Sequence, residues 1–231
     1  MTNPQMPYPR PIATVDLVIV ALTEAGLEVL LTRRDIEPYA GEWALPGGWI
    51  HIDKDIDLEA AACRVLREKT GVETPYLEQL ETFGSAGRDP RGWSISVSYV
   101  SLIATNQMRL PAAEHRTDVA WTAVTDDTVA VPLSFDHAKI VKSALTRLRN
   151  KVEYSTLPVH LLPSGFTLTE LQAVYERILG RRIDKSAFRK RIAEVDFVEP
   201  VFGEMRRASN RPAQIYRVKA GRSTILFDRT L

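Results

Sequence analysis

The sequence predicts an α/β domain followed by a smaller helix-turn-helix unit closed by a β-hairpin, the order of a winged helix. Three observations lead there. Strand-like and helix-like hydrophobic patterns alternate through the first two thirds of the 231 residues. Pro158 and Pro163-Ser164-Gly165 then interrupt the pattern. Beyond them the charge changes sign: residues 1–150 carry 15 Lys and Arg against 20 Asp and Glu, and residues 151–231 carry 15 against 9. The reading divides the chain into a Pro-rich tail (1–11), an α/β domain (12–151), a linker (152–165) and the winged unit (166–231).

The elements follow in order. Ala13 to Leu22 is β-branched and apolar, a buried strand. Glu24-Ala25-Gly26 reads as a turn into a returning strand, Leu27 to Thr32. A loop through Pro38 and Gly41 leads to the segment WALPGGWIHI. Leu58, Ala61, Ala62, Val65 and Leu66 fall at i, i+3, i+4, i+7 and i+8, which predicts a helix from Asp57 to Thr70 stopped by Gly71. Tyr76–Phe83, Trp93–Ala104 and Val119–Val124 read as strands, and Phe135 to Lys151 as a helix with Ile140, Ala144, Leu145 and Leu148 inward. In the second unit, Thr167-Leu168-Thr169-Glu170 is a capping box that opens a helix, and Gly180 ends it. Asp184 caps another helix with Phe188, Ile192 and Val195 on its buried side. Two short strands, Phe197–Phe202 and Ala213–Val218, flank the loop GEMRRASNRP.

Composition narrows the class of function. A single cysteine, Cys63, excludes an internal disulfide and a multi-cysteine zinc site. The four histidines, His51, His115, His137 and His160, have no metal-ligand spacing. No apolar run approaches a membrane span, and the proline-rich start does not read as a secretion signal, so a cytoplasmic location is expected. A basic segment on a mildly acidic body fits a polyanion partner or a basic but merely solvated surface.

One motif is more specific. PGG at 46–48, Arg64, Glu68 and Gly71-Val72 resemble the Nudix box, G-x5-E-x7-R-E-U-x-E-E-x-G-U with U a bulky aliphatic residue. The resemblance implies a Nudix-like α/β/α sandwich, in a family whose helix binds Mg2+ for attack of water on a diphosphate. Here Gly48 and Arg64 are 16 positions apart, two more than in that pattern. Ile56 falls at the first glutamate position, with Asp53 or Asp55 as stand-ins, and Val65 and Lys69 replace two further glutamates. An aliphatic group and an ammonium oppose Mg2+, so the scaffold is expected to hold a diphosphate without cutting it. Glu68 either keeps a residual Mg2+ contact or serves as an i, i+4 partner of Arg64. Candidate ligand-binding residues are Arg33, Arg34, Gly47, Gly48, Arg64, Glu68, Arg88 and Arg91, the arginines because their forks match phosphate oxygens. Trp49, Phe83 and Trp93 offer faces for a nucleobase, with core packing the expected role of the two tryptophans.

The second unit offers a nucleic-acid reader. Lys185, Ser186, Arg189, Lys190 and Arg191 lie away from the apolar side of the last helix, the composition of a recognition helix. Arg206, Arg207, Asn210 and Arg211 suit a wing, and Gln214 and Tyr216 are candidate backbone contacts. Basic helix and basic wing together favour DNA over a small dimerisation module.

The combination, with GEWALPGG, Glu68-Lys69-Thr70-Gly71 and Arg211–Arg217, resembles the Nudix-related transcriptional regulators of NAD biosynthesis. That resemblance implies a homodimeric repressor that binds a palindromic operator and senses ADP-ribose, with no required cofactor. An active Nudix hydrolase of ADP-ribose or a related nucleoside diphosphate is the competing reading.

Overall fold

A computed structural model of the chain describes residues 9–70, 76–108, 118–207, 212–221 and 224–228, without the side chains of Lys69 and Thr70. The expected helix stop at Gly71-Val72, and Asn210 and Arg211 of the wing, lie outside the described residues.

The first domain is a mixed sheet between two helices. Its strands are β1 (Ile12–Thr23), β2 (Gly26–Arg33), β3 (Trp43–Ala44), β4 (Gly47–Trp49), β5 (Tyr76–Ser85), β6 (Ser94–Leu102), β7 (Val119–Thr125) and β8 (Thr128–Val129). The order is β5-β6-β1-β2-β7-β8, with β3 on β2 and β4 on β1; β1 and β6 run parallel. Helix α1 (Leu58–Thr70) covers one face and α2 (His137–Val152) the other.

β1 shows why its sequence reads as an unbroken apolar run. Alternate side chains of a strand point to opposite faces. Val15, Leu17, Ile19 and Ala21 therefore pack with Ala61, Ala62, Val65 and Leu66 of α1. Val18, Val20 and Leu22 pack with Ile140, Val141, Ala144 and Leu145 of α2. Both faces are buried, so no polar alternation survives. The exception is Asp16, a buried carboxylate on the α2 side.

The second unit holds α3 (Leu168–Leu179), α4 (Lys185–Glu194), β9 (Val198–Arg206) and β10 (Ala213–Val218). Thr167 Oγ1 accepts from the Glu170 amide at 3.1 Å, and Glu170 accepts from the Thr167 amide at 2.7 Å, completing the capping box. Gly180 ends α3 at φ 67°, a left-handed conformation that favours glycine. Asp184 caps α4 by accepting from the Ala187 amide at 2.8 Å. No helix among the described residues is long and apolar enough to cross a membrane.

The two units share a core. A 3-10 turn, Leu157–Leu161, lies within the stretch expected as a linker and buries Leu157, Pro158, Val159 and Leu161. It joins α2 side chains to Leu171, Val174, Tyr175, Phe188 and Phe197 in one apolar cluster. The Tyr175 hydroxyl donates to the Ser155 carbonyl at 2.7 Å, and the Phe227 amide donates to the Tyr154 carbonyl at 2.7 Å.

The short strands β3, β4 and β8 have no counterpart in the sequence reading, because two or three residues carry no period. Trp49 and Trp93 correct the expectation of core packing: both are about half exposed.

Candidate ligand cleft and basic surface

A cleft of about 270 Å3 opens where β1, β4, α1, the 86–93 loop and the start of α2 meet. Its floor depends on Gly47. A Cβ there would stand 2.1 Å from Asp16 Oδ1 and 3.0 Å from the Val15 carbonyl, so only glycine fits. At Gly48 a Cβ would press on Val65 Cγ2 at 3.1 Å.

Asp16 is the centre of a buried polar cluster. It accepts from Ser96 Oγ at 2.5 Å and stands 3.5 Å from Arg88 Nη2 and 3.6 Å from His137 Nε2. Arg88 also grips Asp136 through Nε at 3.1 Å and Nη2 at 2.9 Å, and lies 3.3 Å from Ser94 Oγ. His137 Nδ1 accepts from the Leu45 amide at 2.9 Å, so its neutral tautomer carries the proton on Nε2, toward Asp16. Burial pushes the His137 pKa down, against the opposing pull of Asp16 and Asp136.

The other arginines reach the cleft with partners of their own. Arg64 donates to Asp55 through Nε and Nη2, both at 2.7 Å, to the Trp49 carbonyl at 2.8 Å and to Glu68 at 3.1 Å. Arg91 pairs with Asp89 at 2.7 Å and lies over the Trp49 ring at 5.1 Å. Arg34 donates to the Pro38 carbonyl at 2.7 Å and lies over the Phe135 ring at 4.7 Å; burial and the nearby Arg91 lower its pKa. Arg33 sits outside this cleft, over Trp43 and beside a smaller depression. The structure thus gathers Arg34, Gly47, Gly48, Arg64, Glu68, Arg88 and Arg91 and leaves Arg33 apart.

The residues present do not fit a resident Mg2+. Mg2+ takes hard oxygen ligands in near-octahedral array. Val65, at a family glutamate position, is 1% exposed and packs with the α1 core. Glu68 is tied to Arg64 one turn away, and Asp55, three residues before α1, is held by the same guanidinium. Among the described residues no three His, Cys, Asp or Glu side chains converge as a metal set. Of the two stand-in acids, Asp55 meets Arg64 and Asp53 does not, and the lengthened loop closes on that pair.

Sequence reasoning missed Asp16, Asp89, Phe135 and His137, which the fold places at the cleft, and Asp136, which holds Arg88 there. The one available signal was a lone carboxylate inside the apolar run of β1.

On the winged unit, Lys185, Ser186, Arg189 and Lys190 are exposed along α4, and Arg207 is exposed beyond β9. Four expected DNA contacts also have partners within the chain. Arg191 is half-buried with its guanidinium over the Phe227 ring at 5.6 Å. Arg206 bonds to Glu170 and to the Gly165 carbonyl, bracing the start of α3. The Gln214 amide donates to the Val201, Glu204 and Ile215 carbonyls. Tyr216 packs against the core and pairs its backbone with Phe166.

Comparison with known proteins accounts for both units. Residues 14–143 match the family model of the NUDIX domain, and residues 158–218 match that of the NrtR DNA-binding winged helix domain. The chain is 43% identical over 212 residues to the ADPR responsive transcriptional repressor NtrR of Acinetobacter baylyi, covering 91% of this chain and 83% of that protein. The crystal structure of Shewanella oneidensis NrtR with a 27mer DNA superposes with a TM-score of 0.86 at 39% identity, covering 95% of this chain and 99% of the other. The NUDIX domain of the same NrtR, crystallised with ADP ribose, is 38% identical with a TM-score of 0.56, covering 64% of this chain and 94% of the other. Identity and fold extend through the shared core as well as through each unit, and the chain belongs to the NrtR family of Nudix-domain, winged-helix proteins.

Proposed function

We propose that the protein is an ADP-ribose-responsive repressor of NAD biosynthesis genes, acting on DNA in the cytoplasm as a homodimer on a palindromic operator. The observation that carries this reading is the pairing of two features in one chain. A Nudix cleft has its metal helix rebuilt around Val65 and an Arg64-bound Glu68, and the same chain carries a winged helix with an exposed basic helix. Similarity to an ADPR responsive repressor over nine tenths of the chain supports it.

In the cleft, a diphosphate lies against the Gly47-Gly48 backbone. Arg34, Arg64, Arg88 and Arg91 neutralise its charge. The base rests on Trp49, half-exposed at the mouth beside Arg91. On the winged unit, Lys185, Ser186, Arg189 and Lys190 enter the major groove, while Arg207 holds phosphate. Two protomers place their recognition helices about 34–36 Å apart, one turn of DNA.

Hydrolysis finds no support in the geometry, because the carboxylates that would hold Mg2+ are replaced or tied to Arg64. The test is a thermodynamic cycle: DNA affinity with and without saturating ADP-ribose, and ADP-ribose affinity with and without DNA. Both arms change by the same factor, in the range of about 1–3 kcal/mol of coupling. Equal DNA affinity in both states overturns the sensor reading.

A further inference from the structure

Phe202 is fully exposed, and the strand that carries it is built to keep it so. In the β9–β10 ladder Pro200 faces Tyr216 and Met205 faces Gln214, so residues 201–204 oppose Ile215 alone. The extra backbone leaves the ladder as a bulge that turns at Gly203, where φ is 78°. Gln214 stitches the base of this bulge: its Nε2 donates to the Val201 carbonyl at 2.9 Å and to the Glu204 carbonyl at 3.2 Å. Bulges re-aim side chains, and this one lifts a phenylalanine off the unit's own core with half-exposed Met205 beside it. A rigid mount loses little freedom on binding, so it favours contact with a partner.

Charge identifies the partner. The segment 181–222 holds 12 basic and 5 acidic residues in sequence, a net positive charge that a polyanion complements and a second copy of the segment does not. Arg207, five positions past Phe202, is exposed and suited to phosphate. An exposed apolar apex with an exposed arginine beyond it fits the interior of a groove, where phenylalanine enters between bases.

We infer that Phe202 is a wedge that enters the minor groove and partly unstacks one base step, so that the protein selects DNA by deformability as well as by base contacts. This rests on the DNA-reading function proposed above. Pyrimidine–purine steps, TA and CA/TG, unstack most readily, and the wedge favours them at a fixed distance from the sequence read by α4.

Selection from a fully randomised duplex library tests this, using the full-length protein. Wild-type protein enriches a half-site with a TA or CA/TG step at constant spacing. Phe202→Ala still enriches the half-site without the step, and binds the wild-type-selected duplex roughly tenfold more weakly. Its log–log salt slope is unchanged, because no charge is removed. Gln214→Ala, which keeps the phenylalanine but releases the bulge, loses the step preference in the same way, whereas Phe202→Leu retains it. The same enriched sequences and affinity for wild type and Phe202→Ala overturn the inference. So does a Phe202→Ala protein whose oligomer dissociates in sedimentation without DNA, which makes the bulge a contact between copies. A wild-type protein that enriches no duplex overturns the DNA-reading function itself, and this inference with it.

Discussion

The carboxylate of Asp55 receives two 2.7 Å hydrogen bonds from the guanidinium of Arg64, nine residues further on, and a third of 2.7 Å from the His51 amide. The pair fastens the loop between β4 and α1 to the helix that walls the cleft. These bonds, the Arg64 fork above all, lower the Asp55 pKa from 3.8 to about 2. A carboxylate more acidic in the folded than in the unfolded chain stabilises the fold fully above its unfolded pKa. That contribution is lost as pH falls from about 4 to about 2. Thermal unfolding of Asp55→Asn against wild type therefore shows a gap at pH 6 that closes over this window. A gap independent of pH contradicts the assignment.

His160 titrates in a different window. Its ring lies 4.7 Å from the Tyr76 ring and 3.2 Å from Thr224 Oγ1, and burial takes its pKa from 6.5 to about 4. Glu78 and Lys151 line the same groove and pair with each other at 2.6 Å. The unfolded chain takes up this proton below about pH 6.5 and the folded chain only near pH 4. Stability therefore falls across that interval by up to about 3 kcal/mol and levels off below it. His160→Phe makes the slope between pH 6.5 and 4 shallower and leaves the part that buried His137 contributes, as read by denaturant titration at each pH.

ADP-ribose turnover is expected to stay below the usual enzyme range of about 1–10³ per second, with Mg2+ or Mn2+ present. Affinity for ADP-ribose is expected to be the same in EDTA as in Mg2+, measured by calorimetry. Val65→Glu does not restore turnover and lowers stability by about 1–3 kcal/mol, because the new carboxylate enters a packed apolar site.

DNA binding separates exposed from internally bonded arginines. Arg189→Ala lowers the log–log salt slope by about 1, since one counterion fewer is released. Arg206→Ala leaves the slope unchanged and costs no more than about 1 kcal/mol of stability, as its partly exposed pair with Glu170 is lost. Equal slopes for Arg189→Ala and wild type remove α4 from the interface.

The elements that sequence reasoning recovered are those with a long period or a strong local signal. The β1 run, the apolar stripes of α1 and α2, and the caps at Thr167 and Asp184 all lie near their expected places. The cleft was legible at Gly47, Gly48, Arg64 and Glu68, which a motif marks, and at Arg34, Arg88 and Arg91, which the chemistry of arginine toward phosphate proposed. Asp16 and Asp136 are 120 positions apart in the chain, and only the stacking of β1 beneath α2 brings both to Arg88. On the wing, composition could not separate Arg207, which is exposed, from Arg206, which braces a helix. Side-chain partners decide that difference, and a basic residue looks the same in sequence whether it has one or not.

The 3-10 turn at Leu157–Leu161 also sets where this protein can be cut and rejoined. Ser155 bridges Leu226, and the Thr156 amide donates to the Ile225 carbonyl at 2.9 Å, so the segment after β10 returns to the segment that precedes α3. A chimera that exchanges DNA specificity between relatives by joining at Gly165 divides this layer and pairs mismatched halves. The exchangeable module is the stretch 154–228, moved with a matching α2 surface, and its modularity ends at the side chains that α2 presents to it.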